Sequence, residues 1–280
     1  MTAVRIDGHT EVIAHLGYPT HSFKAPLIYN PYFEAMGINA LVVPMACQPE
    51  SFARVLKGLF ELENVRGALI TMPHKVSVVA LLDEASTAVK VAGACNAVKR
   101  AGAKLVGDQF DGAGFVRGVQ GQGLELKGAR CLVVGCGGVG RPIAASLASA
   151  GVAEIALFDT SAHASADLAQ RLRTHHPQLR VTVAGNDPAG FDLVVNATPL
   201  GMNEGDALPI DASRLDARTF VGDVVLSRGM TPLLEAAKAR GCRVQAGADM
   251  LFEMIPPYLE FFGYPTTTPQ RLRELAKLEG

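Results

Sequence analysis

Gly135, Gly137 and Gly140 stand in the segment Gly135-Cys136-Gly137-Gly138-Val139-Gly140 with the G-x-G-x-x-G spacing of a loop that holds a dinucleotide diphosphate. The apolar run Ala129 to Val134 leads straight into the loop; Arg141-Pro142 and an alanine-rich stretch closed by Gly151 follow. Proline in the first turn and glycine just past the end predict a helix from near Gly138. A strand, a tight turn and a helix N-terminus bring unpaired N–H groups and a positive dipole end to bear on phosphates. The other reading of these glycines is a turn packed for steric reasons. Asp159 ends the next apolar run, Glu154 to Phe158, roughly 20 residues after the loop, where an acid accepts hydrogen bonds from the adenosine ribose. A carboxylate there repels a 2′-phosphate, and no lysine or arginine occurs within Asp159-Thr160-Ser161-Ala162-His163. The sequence therefore predicts NAD in preference to NADP, although Asp159 also suits a helix cap.

These residues need a scaffold. The first hundred residues alternate apolar runs with helical patterns, as in Ile38 to Val43, Ser51 to Leu62 and Gly67 to Thr71, the rhythm of a parallel sheet with crossover helices. From Ala129 onward six strand-like runs occur: Ala129 to Val134, Glu154 to Phe158, Arg180 to Val183, Asp192 to Asn196, Phe220 to Leu226 and Arg243 to Gln245. Six such strands make a complete doubly wound unit. The tail reads as two helices, Asp249 to Phe262 and Thr268 to Leu278, which suit a return to the N-terminal half. The expected architecture is thus α/β in two domains: a parallel-sheet substrate domain, residues 1–110 plus 247–280, and a Rossmann nicotinamide-binding domain, residues 111–246, with the ligand in a cleft between them.

Further motifs lie in the N-terminal half: Gly17-Tyr18-Pro19-Thr20-His21-Ser22, Ile70-Thr71-Met72-Pro73-His74-Lys75, Gly93-Ala94-Cys95-Asn96 and Gly107-Asp108-Gln109-Phe110-Asp111-Gly112. With Asn196-Ala197-Thr198-Pro199-Leu200-Gly201-Met202, Thr231-Pro232-Leu233-Leu234 and Gly247 to Leu251, they resemble the shikimate dehydrogenase family in order and spacing over nearly the whole chain. The resemblance implies reversible oxidation of a ring hydroxyl on a carboxylated cyclohexene or cyclohexane. Carried over by position, Lys75 and Asp111 are the catalytic pair, Thr71 and Asn96 bond substrate hydroxyls, and Ser22 meets the substrate carboxylate. Gly135, Cys136, Gly137, Gly138, Val139, Gly140, Asp159, Asn196, Thr198, Pro199 and Gly247 are expected to bind the cofactor.

The chemistry demands such a pair. Taking hydride from a secondary alcohol requires that the hydroxyl proton leave as well, so a base must reach that oxygen. A lysine titrating near ~10.4 must be lowered by about three units to serve at neutral pH, roughly 4 kcal/mol. Burial and a cationic nicotinamide act in that direction, whereas a neighbouring aspartate opposes them, so Lys75 and Asp111 are read as one coupled pair. Taken singly, Lys75 reads as a solvated helix lysine and Asp111 as a helix cap. His21 and His74 read as rim residues, with no acidic neighbour in sequence to orient them.

Four departures from the family pattern concern the substrate. Lys24 stands where a second carboxylate-binding serine is usual, Leu226 replaces a tyrosine, Met254 a glutamine, and Gln109-Phe110 an Asn-Thr pair. Losing a ring-hydroxyl partner at both Leu226 and Met254 costs roughly 2 to 6 kcal/mol, about thirtyfold to ten-thousandfold in kcat/KM. Lys24 returns about half of that as a charge-assisted bond to a carboxylate, felt equally in ground and transition states. The expected substrate is therefore a carboxylated cyclic polyol related to shikimate, quinate or an amino analogue, with shikimate itself a poor one. The competing expectation is a protein of this fold that binds NAD(H) as a sensor without turnover.

Composition narrows the classes. With 280 residues, 49% apolar, and 26 basic against 27 acidic side chains, the chain is near neutral without like-charge blocks, which argues against nucleic-acid and membrane-surface partners. Cys47, Cys95, Cys131, Cys136 and Cys242 are odd in number, scattered and without a C-x-x-C pair, so free thiols, no metal site and a reducing setting are expected. The expected location is the cytoplasm and the expected state a monomer or homodimer.

Overall fold

A computed structural model describes residues 6–226 and 229–278. The chain forms two compact units. The first comprises residues 1–89, 94–110 and 255–280, the second residues 90–93 and 111–254. The chain crosses from the first unit to the second at 110/111 and returns at 254/255, inside a helix.

The first unit is built on strands β1 (Glu11–Gly17), β2 (Ala40–Ala46), β3 (Val65–Ile70), β4 (Glu84–Ala85), β5 (Ala97–Ala101) and β6 (Lys104–Asp108) in the order β2-β1-β3-β5-β6-β4. The β1, β2 and β3 strands are mutually parallel, with His15 of β1 opposite Pro44 and Leu69. The β5–β6 ribbon is an antiparallel hairpin that joins β3 antiparallel, an addition to the parallel sheet that the sequence reading placed here. Helices α1 (Pro26–Met36) and α2 (Pro49–Leu59) make the crossovers. Each opens on a proline, whose missing N–H is one of the unpaired donors of a first turn in any case. Ala14, Leu16, Phe52, Leu56, Ile70 and Val98 form the core on one sheet face.

The second unit is six parallel strands, β7 (Arg130–Val134), β8 (Glu154–Phe158), β9 (Arg180–Val183), β10 (Leu193–Asn196), β11 (Phe220–Asp223) and β12 (Arg243–Gln245), ordered β12-β11-β10-β7-β8-β9. The order reverses at β7, the doubly wound arrangement that places ligands beyond the carboxyl ends of the strands at the switch point. The expected strand Phe220 to Leu226 stops at Asp223, because the Asp223 carboxylate accepts from Val225 N at 3.0 Å and turns the backbone out of the ladder.

The remaining helices are α3 (Thr87–Ala92), α4 (Asp111–Gly121), α5 (Gly140–Ser149), α6 (Ala162–His175), α7 (Pro232–Ala239), α8 (Gly247–Phe262) and α9 (Pro269–Leu275). Ser161, Thr231 and Thr268 cap α6, α7 and α9 by accepting a backbone N–H. Helix α4 lies so close to α5 that a Cβ on Gly112 would overlap the Pro142 carbonyl and Ser146 Oγ. The Phe115 ring fills the space over Gly222 of β11. The position of Asp111 is thus fixed by glycine-mediated packing within the second unit.

Candidate active site

The glycine loop joins β7 to α5. Gly135 has φ of +99°, a conformation that L side chains rarely adopt, and a Cβ there would press on the Ala197 backbone at 2.7 Å. A Cβ on Gly140 would overlap the Gly135 carbonyl, whereas one on Gly137 meets nothing within 4 Å. Gly135 and Gly140 therefore shape the turn, and the space over Gly137 leaves its backbone approachable, as a diphosphate requires. Helix α5 begins at Gly140 rather than Gly138, so Gly138 and Val139 belong to the loop.

Two side chains brace this loop from within the unit. The Arg141 guanidinium, buried, donates to the Cys136 carbonyl at 3.0 Å and to Asp167 at 2.6 Å. Cys136 N and Ser161 N donate to the Asp159 carboxylate at 2.6 and 2.8 Å. The Cys136 thiol itself is buried, and burial with the Asp159 charge pushes its pKa up to about 12. Arg141 had no role in the sequence reading; a basic residue on the first turn after a glycine loop is the only sequence signal for it.

The loop after β10 is organised by side chains read from sequence as cofactor contacts. The Asn196 carboxamide donates to Leu200 O and to Asp223 Oδ1, both at 3.0 Å, and accepts from Thr198 N and Thr198 Oγ1. Thr198 Oγ1 accepts in turn from Leu200 N. Asp223 also accepts from Thr231 Oγ1 at 2.7 Å, and burial raises its pKa against the pull of these donors. Asn196 and Thr198 thus build the loop that carries Pro199, and Asp223, absent from the sequence reading, ties three segments together. Leu226 is 42% exposed. Met254 packs along α4, its Cβ 2.8 Å from where a Gly114 side chain would begin. Gly247 opens α8, and a Cβ there would meet the Val224 and Val225 carbonyls at 2.6 Å. Asp111, at the first position of α4, is 1% exposed.

In the first unit, Thr71 follows β3 and its N donates to Leu16 O at 2.9 Å. Lys75 lies on the next turn, 8% exposed, with its carbonyl accepting from Cys95 N at 2.8 Å. Asn96 is fully buried. Its backbone bonds Ile70 and Asp108, its Oδ1 accepts from Phe110 N at 3.0 Å, and its Nδ2 has no partner among the described residues. A buried amide donor left unpaired costs about 1 to 3 kcal/mol, which a ligand hydroxyl relieves. The Gln109-Phe110 departure has a packing cause, since the Phe110 ring meets Tyr258 and Phe261 edge-on at 4.8 and 5.7 Å while Gln109 is buried. Ser22 is exposed in the turn before α1 and Lys24 is half-buried beside it.

His74 departs from the rim position expected of it. His74 is buried, stacked on Phe52 at 4.0 Å with Nε2 2.8 Å from the Cys47 carbonyl, and so is an internal brace for the Lys75 turn. His21 is exposed. His15 was not singled out from sequence. It is buried on β1 and stacked on Phe23 at 4.1 Å; burial, with the Lys75 charge adding to it, pushes its pKa down to about 3. Among the described residues no cluster of three or more His, Cys, Asp or Glu is placed to hold a metal ion, and no helix is long and apolar enough to cross a membrane.

Comparison with known proteins places these features. The family model described as the shikimate dehydrogenase substrate binding domain matches residues 16–98, and a ThiF family model matches residues 113–172. A Geobacter sulfurreducens protein named shikimate dehydrogenase (NADP(+)) is 36% identical over 253 residues, 87% of this chain and 88% of its own length. A Geobacter metallireducens protein of the same name is 35% identical, covering 88% of both. Among solved structures, shikimate 5-dehydrogenase from Thermus thermophilus in complex with NADP(H) and shikimate matches with a TM-score of 0.84 and 26% identity, over 96% of this chain and 99% of that one. The 5-ketofructose reductase of Gluconobacter matches with a TM-score of 0.83 and 25% identity, over 95% and 97%.

These relatives overturn the expected preference for NAD, since the named ones are NADP(+) enzymes and the Thermus structure holds NADP(H). Asp159 is not a free reader of the ribose: two backbone N–H groups occupy its carboxylate and make it part of the loop's own framework. Sequence identity over nearly nine-tenths of the chain and the fold of both units agree: the chain belongs to the shikimate dehydrogenase family.

Proposed function

We propose that this chain catalyses the reversible NADP-linked oxidation of a secondary hydroxyl on a carboxylated cyclic polyol, of which shikimate, quinate and amino analogues are the nearest representatives. The observation that carries this reading is the burial of Lys75 and Asp111, 8% and 1% exposed, each in the family motif where the catalytic pair is expected. Charged side chains held this far from water are rare and mark candidate functional sites. When bound, the nicotinamide supplies the acceptor or donor of hydride. The chain supplies the rest. Lys75 and Asp111 together take the hydroxyl proton in the oxidative direction and return it in the reductive one. Asn96, with its unpaired Nδ2, and Thr71 orient the ring hydroxyls, and Ser22 and Lys24 meet the carboxylate.

The cofactor fits the residues present. The open backbone over Gly137, the first turn of α5 and the Arg141 guanidinium behind Cys136 suit a diphosphate. Thr198, Pro199 and Gly247 border the strand ends, and Thr160, Ser161 and His163, exposed after β8, offer hydroxyl and imidazole groups for a 2′-phosphate.

The test is steady-state turnover of shikimate and quinate with NADP+ and NAD+, with Lys75→Ala and Asp111→Ala alongside. Each variant is expected to lose about 100-fold or more of kcat, on the order of what general acid–base catalysis supplies. Normal turnover by both variants removes the assigned chemistry. Tighter binding of NADH than NADPH removes the cofactor assignment. Binding of NADPH without turnover of any cyclic hydroxy acid marks the chain as a sensor instead.

A further inference from the structure

His15 and Phe23 occupy a position that neither the family motifs nor the catalytic assignment uses. His15 is the fifth residue of β1, and its side chain lies on the sheet face opposite the core formed by Ala14 and Leu16. It is 9% exposed and its Nδ1 is buried without a partner among the described residues. What holds the ring is stacking: Phe23 lies parallel to it at 4.1 Å with an interplanar angle of 29°. The same Phe23 ring covers Gly17, where a Cβ would meet it at 2.8 Å, and a Cβ there would also meet the Thr71 methyl and the Met72 carbonyl. His15 lies within the electrostatic reach of Lys75. One aromatic pair therefore adjoins Thr71 and Lys75, the residues assigned to the substrate.

A polyol bound beside Thr71 and Lys75 needs hydrogen-bond partners for its ring hydroxyls. A buried imidazole with a nitrogen that the fold leaves unpaired is such a partner, and the half-buried Phe23 ring suits the C–H face of a saturated or partly unsaturated ring. We propose that His15 and Phe23 form a specificity shelf in the substrate site, the substrate ring lying against Phe23 and one ring hydroxyl bonding the His15 imidazole. This rests on the substrate-site assignment above, but the shelf acts on any polyhydroxylated ring, with or without a carboxylate.

The experiment pairs kinetics with a binding signal on the residue itself. The full-length protein labelled with 15N histidine is titrated with shikimate, quinate and myo-inositol, first with NADP+ and then without, while KM and kcat for shikimate and quinate are measured in His15→Phe, His15→Asn and Phe23→Leu. The expected result is a ligand-induced shift of the His15 ring resonances. It is accompanied by a rise of about tenfold or more in KM or in the titrated Kd for His15→Phe, partial recovery in His15→Asn, and a kcat that changes much less. Recovery in His15→Asn separates hydrogen bonding from packing, because asparagine restores a polar atom near the Nδ1 position and phenylalanine does not. Thermal unfolding of each variant shows whether it is folded, and the Phe23→Leu arm carries the test should both His15 variants fail to fold. Turnover of shikimate or quinate with unmoved His15 resonances and an unchanged KM in the variants overturns the shelf and leaves the dehydrogenase reading intact. His15 shifts and His15-dependent binding without turnover support the shelf and overturn the dehydrogenase reading. Neither signal overturns both.

Discussion

Replacing Asp223 separates the framework of the cofactor loop from its surface. The Asp223 carboxylate accepts from Asn196 Nδ2 at 3.0 Å, Thr231 Oγ1 at 2.7 Å and Val225 N at 3.0 Å, all at buried positions. Asp223→Ala removes all three acceptor contacts. Asn196 Nδ2 keeps Leu200 O, but Val225 N and the Thr231 hydroxyl lose their partner. Two buried donors at about 1 to 3 kcal/mol each give a gross cost of roughly 2 to 6 kcal/mol. Part of this is offset, because burial already penalises the charged carboxylate, as its raised pKa shows. A net loss of about 2 to 4 kcal/mol remains. Asp223→Asn keeps one oxygen acceptor, and the Thr231 hydroxyl can rotate to accept from the new amide, so its expected cost is about 1 kcal/mol. The assay is equilibrium urea unfolding followed by circular dichroism, with the m-value compared between variants to confirm that only the midpoint moves. NADPH affinity, read by fluorescence, should fall with Asp223→Ala in excess of any unfolded fraction, because Leu200 and Thr198 lose their anchor through Asn196. A cost below about 1 kcal/mol for Asp223→Ala, or equal costs for the two substitutions, would refute the reasoning.

Gly112→Ala should destabilise by about 1 to 3 kcal/mol despite the better helix propensity of alanine, because the new methyl meets the Pro142 carbonyl, a backbone group that cannot rotate aside; a stabilised variant in urea unfolding contradicts the packing given for α4. His15 sets a pH dependence of stability. Its pKa is lowered from 6.5 to about 3 on folding, mainly by burial, so the unfolded chain binds the proton first. Its contribution is complete above pH ~6.5 and is lost as pH falls from there toward about 3. At up to ~1.36 kcal/mol per pH unit, the wild type should lose about 2 kcal/mol more than His15→Phe between pH 7 and pH 5, and parallel stability profiles for the two proteins would show that His15 is not buried neutral. Arg141→Met should weaken NADPH binding about tenfold or more while leaving shikimate KM nearly unchanged, because it frees the Cys136 carbonyl within the glycine loop; equal NADPH dissociation constants in a direct titration would count against that role.

The second unit was the readable one, and the reason is local. Its strands β7, β8 and β10 are short, mostly apolar runs that end on a turn-forming or polar residue, Gly135 after β7, Asp159 after β8 and Asn196 at the end of β10, so burial and termination are both written in consecutive positions. The β5–β6 hairpin was missed for the same reason in reverse. Its strands carry Lys99, Arg100 and Lys104 on a partly solvated ribbon and mimic a loop in composition. The helix expected from Asp249 to Phe262 begins two residues earlier, at Gly247, and the division between units falls mid-helix, where nothing in sequence marks it.

The candidate site divides along the same line. Glycines whose role depends on their own backbone, Gly135 and Gly140, could be read from spacing, whereas side chains whose role depends on a distant partner could not. His74 looked like a rim residue because Phe52 and the Cys47 carbonyl, which bury it, lie more than twenty positions away. Asp159 sat at the right distance from the loop for a ribose contact, but the two amides that occupy its carboxylate are visible only in three dimensions. His15 is the extreme case. Alone in sequence it is one histidine in an apolar strand, and only the stacking of Phe23, the packing over Gly17 and the charge of Lys75 make it part of a site. Motif order thus carries the reading of the reaction type, because hydride and proton transfer need only a few groups at set places. Substrate choice depends on contacts between residues far apart in the chain, which motif order does not record.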